Sequence, residues 1–217
     1  MPITTVIFDY GCVLSLPPGP ADYEPLRAAL GVEAAAFQEY YWRHREAYDS
    51  DALDTTAYWQ GIGRDAGLTF SAEQIQKLAL LDCHLWGRPD PVMVEWAQVL
   101  HARGWKTGVL SNMSRNVGGY LRRTYPWFEL FDHLCFSSEL GIGKPDPAIY
   151  HICLKALGVP AAQALFIDDR EVNITAGRAL GMPGILFRTT EQILPELEPY
   201  GLAASMLEAK ARAAPET

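Results

Sequence analysis

The 217-residue chain has no surplus of positive charge: 18 Lys and Arg stand against 26 Asp and Glu, a formal net charge of −8. No basic face for nucleic acid is advertised, and a small anionic substrate would have to be met by individually placed cations. Cysteine is scarce. Cys12, Cys83, Cys135 and Cys153 never stand at a C-x-x-C spacing or beside a histidine cluster. The expectation is reduced thiols in a cytoplasmic protein, not a disulfide framework or a zinc site. No run approaches the ~20 apolar residues that a membrane span needs, and the N-terminus lacks the basic and apolar regions of a secretory signal. Internal repeats and low-complexity segments are also missing.

Against these absences, the chain has enough apolar residues (49%) for a sizeable core. Five short runs are almost continuously apolar: "TTVIFDY" (4–10), "KTGVLSN" (106–112), "HLCFSS" (133–138), "ALFIDD" (164–169) and "GILFR" (184–188). Continuous rather than alternating runs point to strands buried on both faces, as in a parallel sheet. Helical patterns separate them. "DPAIYHICLKALG" offers Asp146 as N-cap, Pro147 in the first turn and Gly158 at the stop, with Ile149, Ile152, Cys153 and Leu157 facing inward. "REVNITAGRALG" is expected to turn Val172, Ala176, Ala179 and Leu180 inward. The alternation predicts an α/β, doubly wound, Rossmann-like parallel sheet.

Residues 16–88 break that rhythm. They hold helical patterns with aromatic faces and no strand-like run, and "SAEQIQKLALLDCHLW" opens with a capping box, Ser71 to Gln74. This segment reads as an all-helical cap between proline-rich hinges, "LPPGP" (16–20) and "GRPDP" (87–91). The core is then 1–15 and 89–217, with an Ala- and Glu-rich tail after about residue 203 that is expected to fray.

In an open α/β sheet, ligands bind outside the carboxyl ends of the strands. At those ends stand Asp9, Ser111-Asn112 and Asp168-Asp169, with Lys144 in "GIGKPDP" just after the third run. Each alone reads more simply as a cap, a turn or a solvated loop. Together they place three carboxylates, a hydroxyl and an ammonium on one rim. Clustered carboxylates repel, and a hard cation such as Mg²⁺ resolves the repulsion. A carboxylate beside it can attack phosphorus, with hydroxyl and ammonium spread over the phosphoryl oxygens.

"VIFDYGCVL", "VLSN", "GKPDPAIY" and "LFIDDREVNITAGRALGM" resemble the four ordered motifs of the haloacid dehalogenase (HAD) superfamily. The helical insert resembles its C1-type cap, and residues 125–188 resemble the α-D-glucose-1-phosphate phosphatase-like branch. The resemblance implies a Mg²⁺-dependent phosphatase acting on a small phosphomonoester. Asp9 would be nucleophile and metal ligand, Gly11 would lend its carbonyl to the metal, and Asp169 would be a further ligand. Ser111 and the Asn112 amide would hold the phosphoryl group, Lys144 would neutralise it, and Asp168 and Asn173 would support from behind. The implied partner is a small phosphorylated molecule, with neither nucleic acid nor membrane, in a monomer or homodimer.

One position departs from the pattern. Gly11 stands where many of these phosphatases carry an aspartate that protonates the leaving oxygen, a service worth ~10²–10⁴-fold. One alternative is therefore a weak or inactive HAD-like binding domain. A metal-independent dehalogenase is a more distant one, because such enzymes typically show Ser-Ser-Asn where this chain has "IDD". If the protein is active, a Mg²⁺-bound water is one candidate donor and His44 of the cap is another. Phe37, Tyr40, Tyr41, His44 and Tyr48 would share one helix face roofing the site, although core packing of the cap explains the same spacing.

Overall fold

In a computed structural model, which describes residues 2–214, the apolar runs become five parallel strands: β1 (Thr5–Phe8), β2 (Lys106–Ser111), β3 (His133–Phe136), β4 (Ala164–Asp168) and β5 (Gly184–Leu186). Their order is β3-β2-β1-β4-β5, so β1 is central and Ile7 lies between Gly108 and Phe166. Every residue of β1 and β4 is buried, which explains why neither run alternates. The chain winds outward from β1 through β2 to β3, then returns to β4 on the other side. That reversal opens a crevice at the carboxyl ends of β1 and β4.

Helices cover both faces. Val6, Phe8, Leu165 and Ile167 meet α6 (Pro91–Ala102), α7 (Arg115–Thr124), α11 (Thr190–Leu197) and α12 (Ala203–Ala213). Ile7, Leu110 and Phe166 point oppositely, onto α9 (Pro147–Leu157) and α10 (Glu171–Ala179). A short turn, α8 (Ser137–Leu140), follows β3. The expected fraying after residue 203 is not found over the described residues. α12 buries Ser205, Met206 and Ala209, and Trp96 Nε1 donates to Ser205 Oγ at 2.9 Å.

Two helix phases also differ from the sequence reading. α9 has its predicted caps, Asp146 accepting from Ala148 N at 2.8 Å and Gly158 in the left-handed region at φ 64°. Its buried face, however, includes Tyr150 and Leu154, and Ile152 is 38% exposed. α10 buries Asn173, Ile174 and Gly177, while Val172 is 47% exposed.

The insert contains α1 (Glu24–Leu30), α2 (Ala34–Arg43), α3 (Arg45–Asp49), α4 (Thr55–Asp65) and α5 (Ala72–Trp86). They enclose a core of their own around Phe37, Tyr41, Tyr58, Trp59 and Ile62. The capping box forms as read: Ser71 N donates to Gln74 Oε1 at 2.8 Å and Gln74 N to Ser71 Oγ at 3.2 Å. The two proline-rich connections run antiparallel, joined by Leu16 N to Arg88 O (2.8 Å) and Asp90 N to Leu14 O (2.9 Å). The four cysteines are free thiols, and no helix among the described residues is long and apolar enough to cross a membrane.

Candidate active site

β1 delivers Asp9 to the crevice. Asp9 N donates to Ile167 O at 2.8 Å, which keeps the residue in register with β4, and Asp9 Oδ1 accepts from Tyr10 N at 2.6 Å. The chain then turns through Cys12, which takes a left-handed φ of 58°. Gly11 does not use its conformational freedom, with φ −62° and ψ 126°. A Cβ there would meet only the Trp86 ring, at an ordinary 3.7 Å. Neither backbone nor space demands glycine at this position.

β2 ends at Ser111, whose hydroxyl is close enough to the Asp9 carboxylate to favour its ionised form. Asn112 clamps the lysine loop: its Nδ2 donates to Lys144 O at 2.8 Å, and Lys144 N donates to its Oδ1 at 2.7 Å. This close approach does require Gly143, because a Cβ there would stand 2.9 Å from Asn112 Oδ1. So held, Lys144 is buried, with Nζ 2.9 Å from Asp9 Oδ2 and 2.6 Å from Asp168 Oδ2. Asp168 also accepts from Arg170 N at 2.8 Å and from Asn173 Nδ2 at 3.0 and 3.1 Å. Asn173 therefore fixes the phase of α10.

Electrostatically the site is short of positive charge. Oxygens of Asp9, Asp168 and Asp169 all lie within 4.8 Å of one another, facing one ammonium. Burial, aided by Asp168 and Asp169 and opposed by Lys144, pushes the Asp9 carboxyl up to about 7. Burial and then Asp168 raise Asp169 as well. Burial pulls the Lys144 ammonium down, but Asp9 and Asp168 outweigh it and leave it raised. A hard divalent cation with oxygen ligands fits such a donor set. Burial and the nearby carboxylates push the Cys12 thiol up to about 12, so it is a neutral neighbour and not a nucleophile.

The cap roofs a cleft of about 940 Å³ above these groups. His44 is not part of the roof, which corrects the reading of it as proton donor. The expected single helix breaks there, at φ −106° and ψ 1°, into α2 and α3. The His44 ring lies against Gly61, with Nε2 2.9 Å from Asp65 Oδ2. Phe37, Tyr41 and Tyr48 are buried as core. The roof comes from Tyr23, Trp42, Arg45, Glu46, Asp49 and Trp86, none of which sequence reasoning singled out. Two signals were available: Trp42, Arg45, Glu46 and Asp49 stand at i, i+3, i+4 and i+7, and Trp86 immediately precedes the second hinge.

A family model described as haloacid dehalogenase-like hydrolase matches residues 16–181. The sesquiterpene phosphatase astK of Aspergillus oryzae is 32% identical over 98 residues, 45% of this chain and 50% of that protein. The chain thus spans about half the length of that relative. Phosphatase MT3486 of Mycobacterium tuberculosis is 26% identical over 211 residues, covering 93% of this chain and 96% of that one. A HAD family enzyme of Bacteroides thetaiotaomicron, solved with magnesium and inorganic phosphate, superposes with a TM-score of 0.68 at 16% identity, over 86% of this chain and 94% of that one. At such identity the likeness is one of fold. With the family model spanning most of its length, the chain belongs to the haloacid dehalogenase-like hydrolases.

Proposed function

We propose that the chain is a Mg²⁺-dependent phosphatase that hydrolyses a small phosphomonoester through a covalent phosphoryl group on Asp9. The observation that carries this reading is the Asp9 carboxylate itself. It closes the central strand inside a cleft, held by Ser111 and Lys144, with two further carboxylates beside it. The phosphatase names of two relatives support it.

In the first step an Asp9 oxygen bonds to phosphorus and the ester P–O bond breaks, the departing alkoxide taking a proton from solvent water. In the second, water attacks phosphorus, the bond to Asp9 breaks, and inorganic phosphate leaves. Ser111 and the Asn112 amide hold the phosphoryl oxygens. Lys144 opposes their charge, and Asp168 with Asn173 orients Lys144. Asp9, Asp169 and the Gly11 carbonyl would hold Mg²⁺, which supplies charge stabilisation as the phosphoryl group transfers. Gly11 supplies no proton, so alcohols that leave readily, such as the anomeric hydroxyl of a sugar, suit the site best.

The test is hydrolysis of an aryl phosphate with Mg²⁺ present. Wild type should turn over, EDTA should stop it, and Asp9→Asn should lose at least ~10³-fold in kcat while keeping its circular dichroism spectrum. Activity surviving in Asp9→Asn would refute the mechanism. A wild type inert towards every ester would favour the binding-domain alternative.

A further inference from the structure

We infer that the cap admits phosphomonoesters whose leaving alcohol bears no negative charge and lays an apolar face on the Trp86 indole, with Glu46 as the specificity-determining residue for charge. The inference rests on the phosphatase reading above and names the substrate class of the same site.

The charge argument starts at Arg45, the one cap cation that lines the cleft among the described residues. Its guanidinium is already committed. Nε lies 2.9 Å from Asp49 Oδ1, and Nη1 donates to both Asp82 oxygens at 3.0 and 3.2 Å and to Tyr41 Oη at 2.5 Å. Two carboxylates surround one guanidinium, so this buried group is net negative. Glu46 stands one turn before Asp49 on the cleft, exposed, with no ion-pair partner among the described residues. The roof thus presents negative charge without a free cation to receive a second anionic group. On the floor Lys144 is likewise shared between Asp9 and Asp168. Arg170, exposed at the mouth, already faces the Asp169 carboxylate beside it, so it is not a free cation either. Inside a walled cleft, a carboxylate or second phosphate on the leaving group meets like charge at reduced dielectric.

The apolar half of the argument is Trp86. Its ring lies 3.7 Å from where a Gly11 Cβ would be, immediately above the nucleophile's turn. Nε1 is tethered to Tyr41 Oη at 2.9 Å, and the Trp42 ring meets it edge-on at 6.3 Å. A fixed indole wall favours an alcohol with a flat or apolar face.

The experiment uses benzyl phosphates carrying para hydroxymethyl, aminomethyl or carboxylate groups, whose leaving oxygens are matched because the benzylic methylene insulates them. With Mg²⁺, kcat/KM for the carboxylate should fall at least ~10-fold below the hydroxymethyl ester, with the aminomethyl ester at or above it. Glu46→Lys should raise the carboxylate-to-hydroxymethyl ratio by ~10-fold, and Glu46→Gln by less. Equal rates for all three esters, or a ratio unmoved in Glu46→Lys, would overturn the charge rule. Trp86→Ala should raise KM for the hydroxymethyl ester relative to methyl phosphate; no relative change would overturn the platform. Should no ester be hydrolysed, the phosphatase reading fails by itself. Calorimetric binding of the three matching benzylphosphonates then decides the charge rule: the same order upholds it and equal affinities overturn it.

Discussion

One ammonium serves two carboxylates in this cleft, and the consequence is measurable at Asp9. Its carboxyl is pushed from an ordinary 3.8 to about 7, so the folded chain holds this proton more tightly than the unfolded chain does. An acid raised in this way lowers stability as pH climbs through the window between those values, because the native state binds more protons there. The shift at Lys144 acts only above its ordinary 10.5, outside the window. In EDTA, the melting temperature of wild type relative to Asp9→Asn should therefore decline between about pH 4 and pH 7. The proposed Mg²⁺ site is this cluster in its ionised form, so stabilisation by added Mg²⁺ should be larger at about pH 8 than at about pH 5. A wild-type-minus-variant difference that is flat with pH would mean that Asp9 is already ionised throughout. Gly11 gives a second residue-scale prediction. With ordinary φ and room for a Cβ, Gly11→Asp should fold with little change in melting temperature. It should raise kcat on alkyl phosphates by ~10-fold or more, and less on aryl phosphates, whose leaving groups need no acid. An equal change on both ester classes would show that the new carboxylate donates no proton.

At the scale of elements, the rule that governs α10 is polar. Asn173 must reach Asp168, and that contact turns Ile174 and Gly177 inward and Val172 out. Val172→Lys should therefore change stability by under ~0.5 kcal/mol. Ile174→Ala should cost about 2–5 kcal/mol in chemical denaturation, and the reverse order would contradict the observed phase. His44 supplies the matching control in the cap. His44→Ala should leave kcat and its pH dependence unchanged, since the ring faces Gly61 and Asp65. These elements also show why the sequence was legible in part. Strands buried on both faces read as continuous apolar runs, and Asp9, Ser111 and Asp168 were found because each ends such a run. Helix phase in α9 and α10 was not, because Asn173 turns inward to reach Asp168 and Tyr150 turns inward to donate from Oη to the Asn173 main-chain O at 2.9 Å. An apolar stripe does not register that contact. The roof was hidden for another reason. Trp42, Arg45, Glu46 and Asp49 fall at helical spacing, but they mix charge with one aromatic ring and form no apolar stripe, and Tyr23 and Trp86 come from separate cap segments.

Over the whole molecule, the cap and core are joined by two kinds of contact with different consequences. The paired connections at Leu16 and Arg88 are covalent crossings and survive any motion. Opposite them, the turn after α3 is held by separable bonds. Ser137 Oγ donates to Asp49 O at 2.5 Å while accepting from Met113 N at 3.0 Å, in the same loop as Ser111. Burial pushes the Asp49 carboxyl up to about 6, against the Arg45 guanidinium 2.9 Å away. Arg115 grips Asp51 through Nε and Nη2 at 2.7–3.2 Å, and Nη2 also donates to Ser138 O at 2.8 Å. The Arg115–Asp51 pair is solvent-exposed on both sides. Exposed pairs contribute little and weaken with salt, so this contact gives way before the buried ones. Arg115→Ala should thus loosen the closed cap without unfolding it. KM is expected to rise ~2–5-fold with a smaller change in kcat, and proteases should cut the 16–23 connection faster. Wild-type KM should rise with ionic strength and that of Arg115→Ala much less. Asp51→Ala should mimic it, and the double variant should be no worse than either single one, because both remove the same contact. Additive losses would mean that the two residues act separately and that closure is held elsewhere, at Ser137 and Asp49.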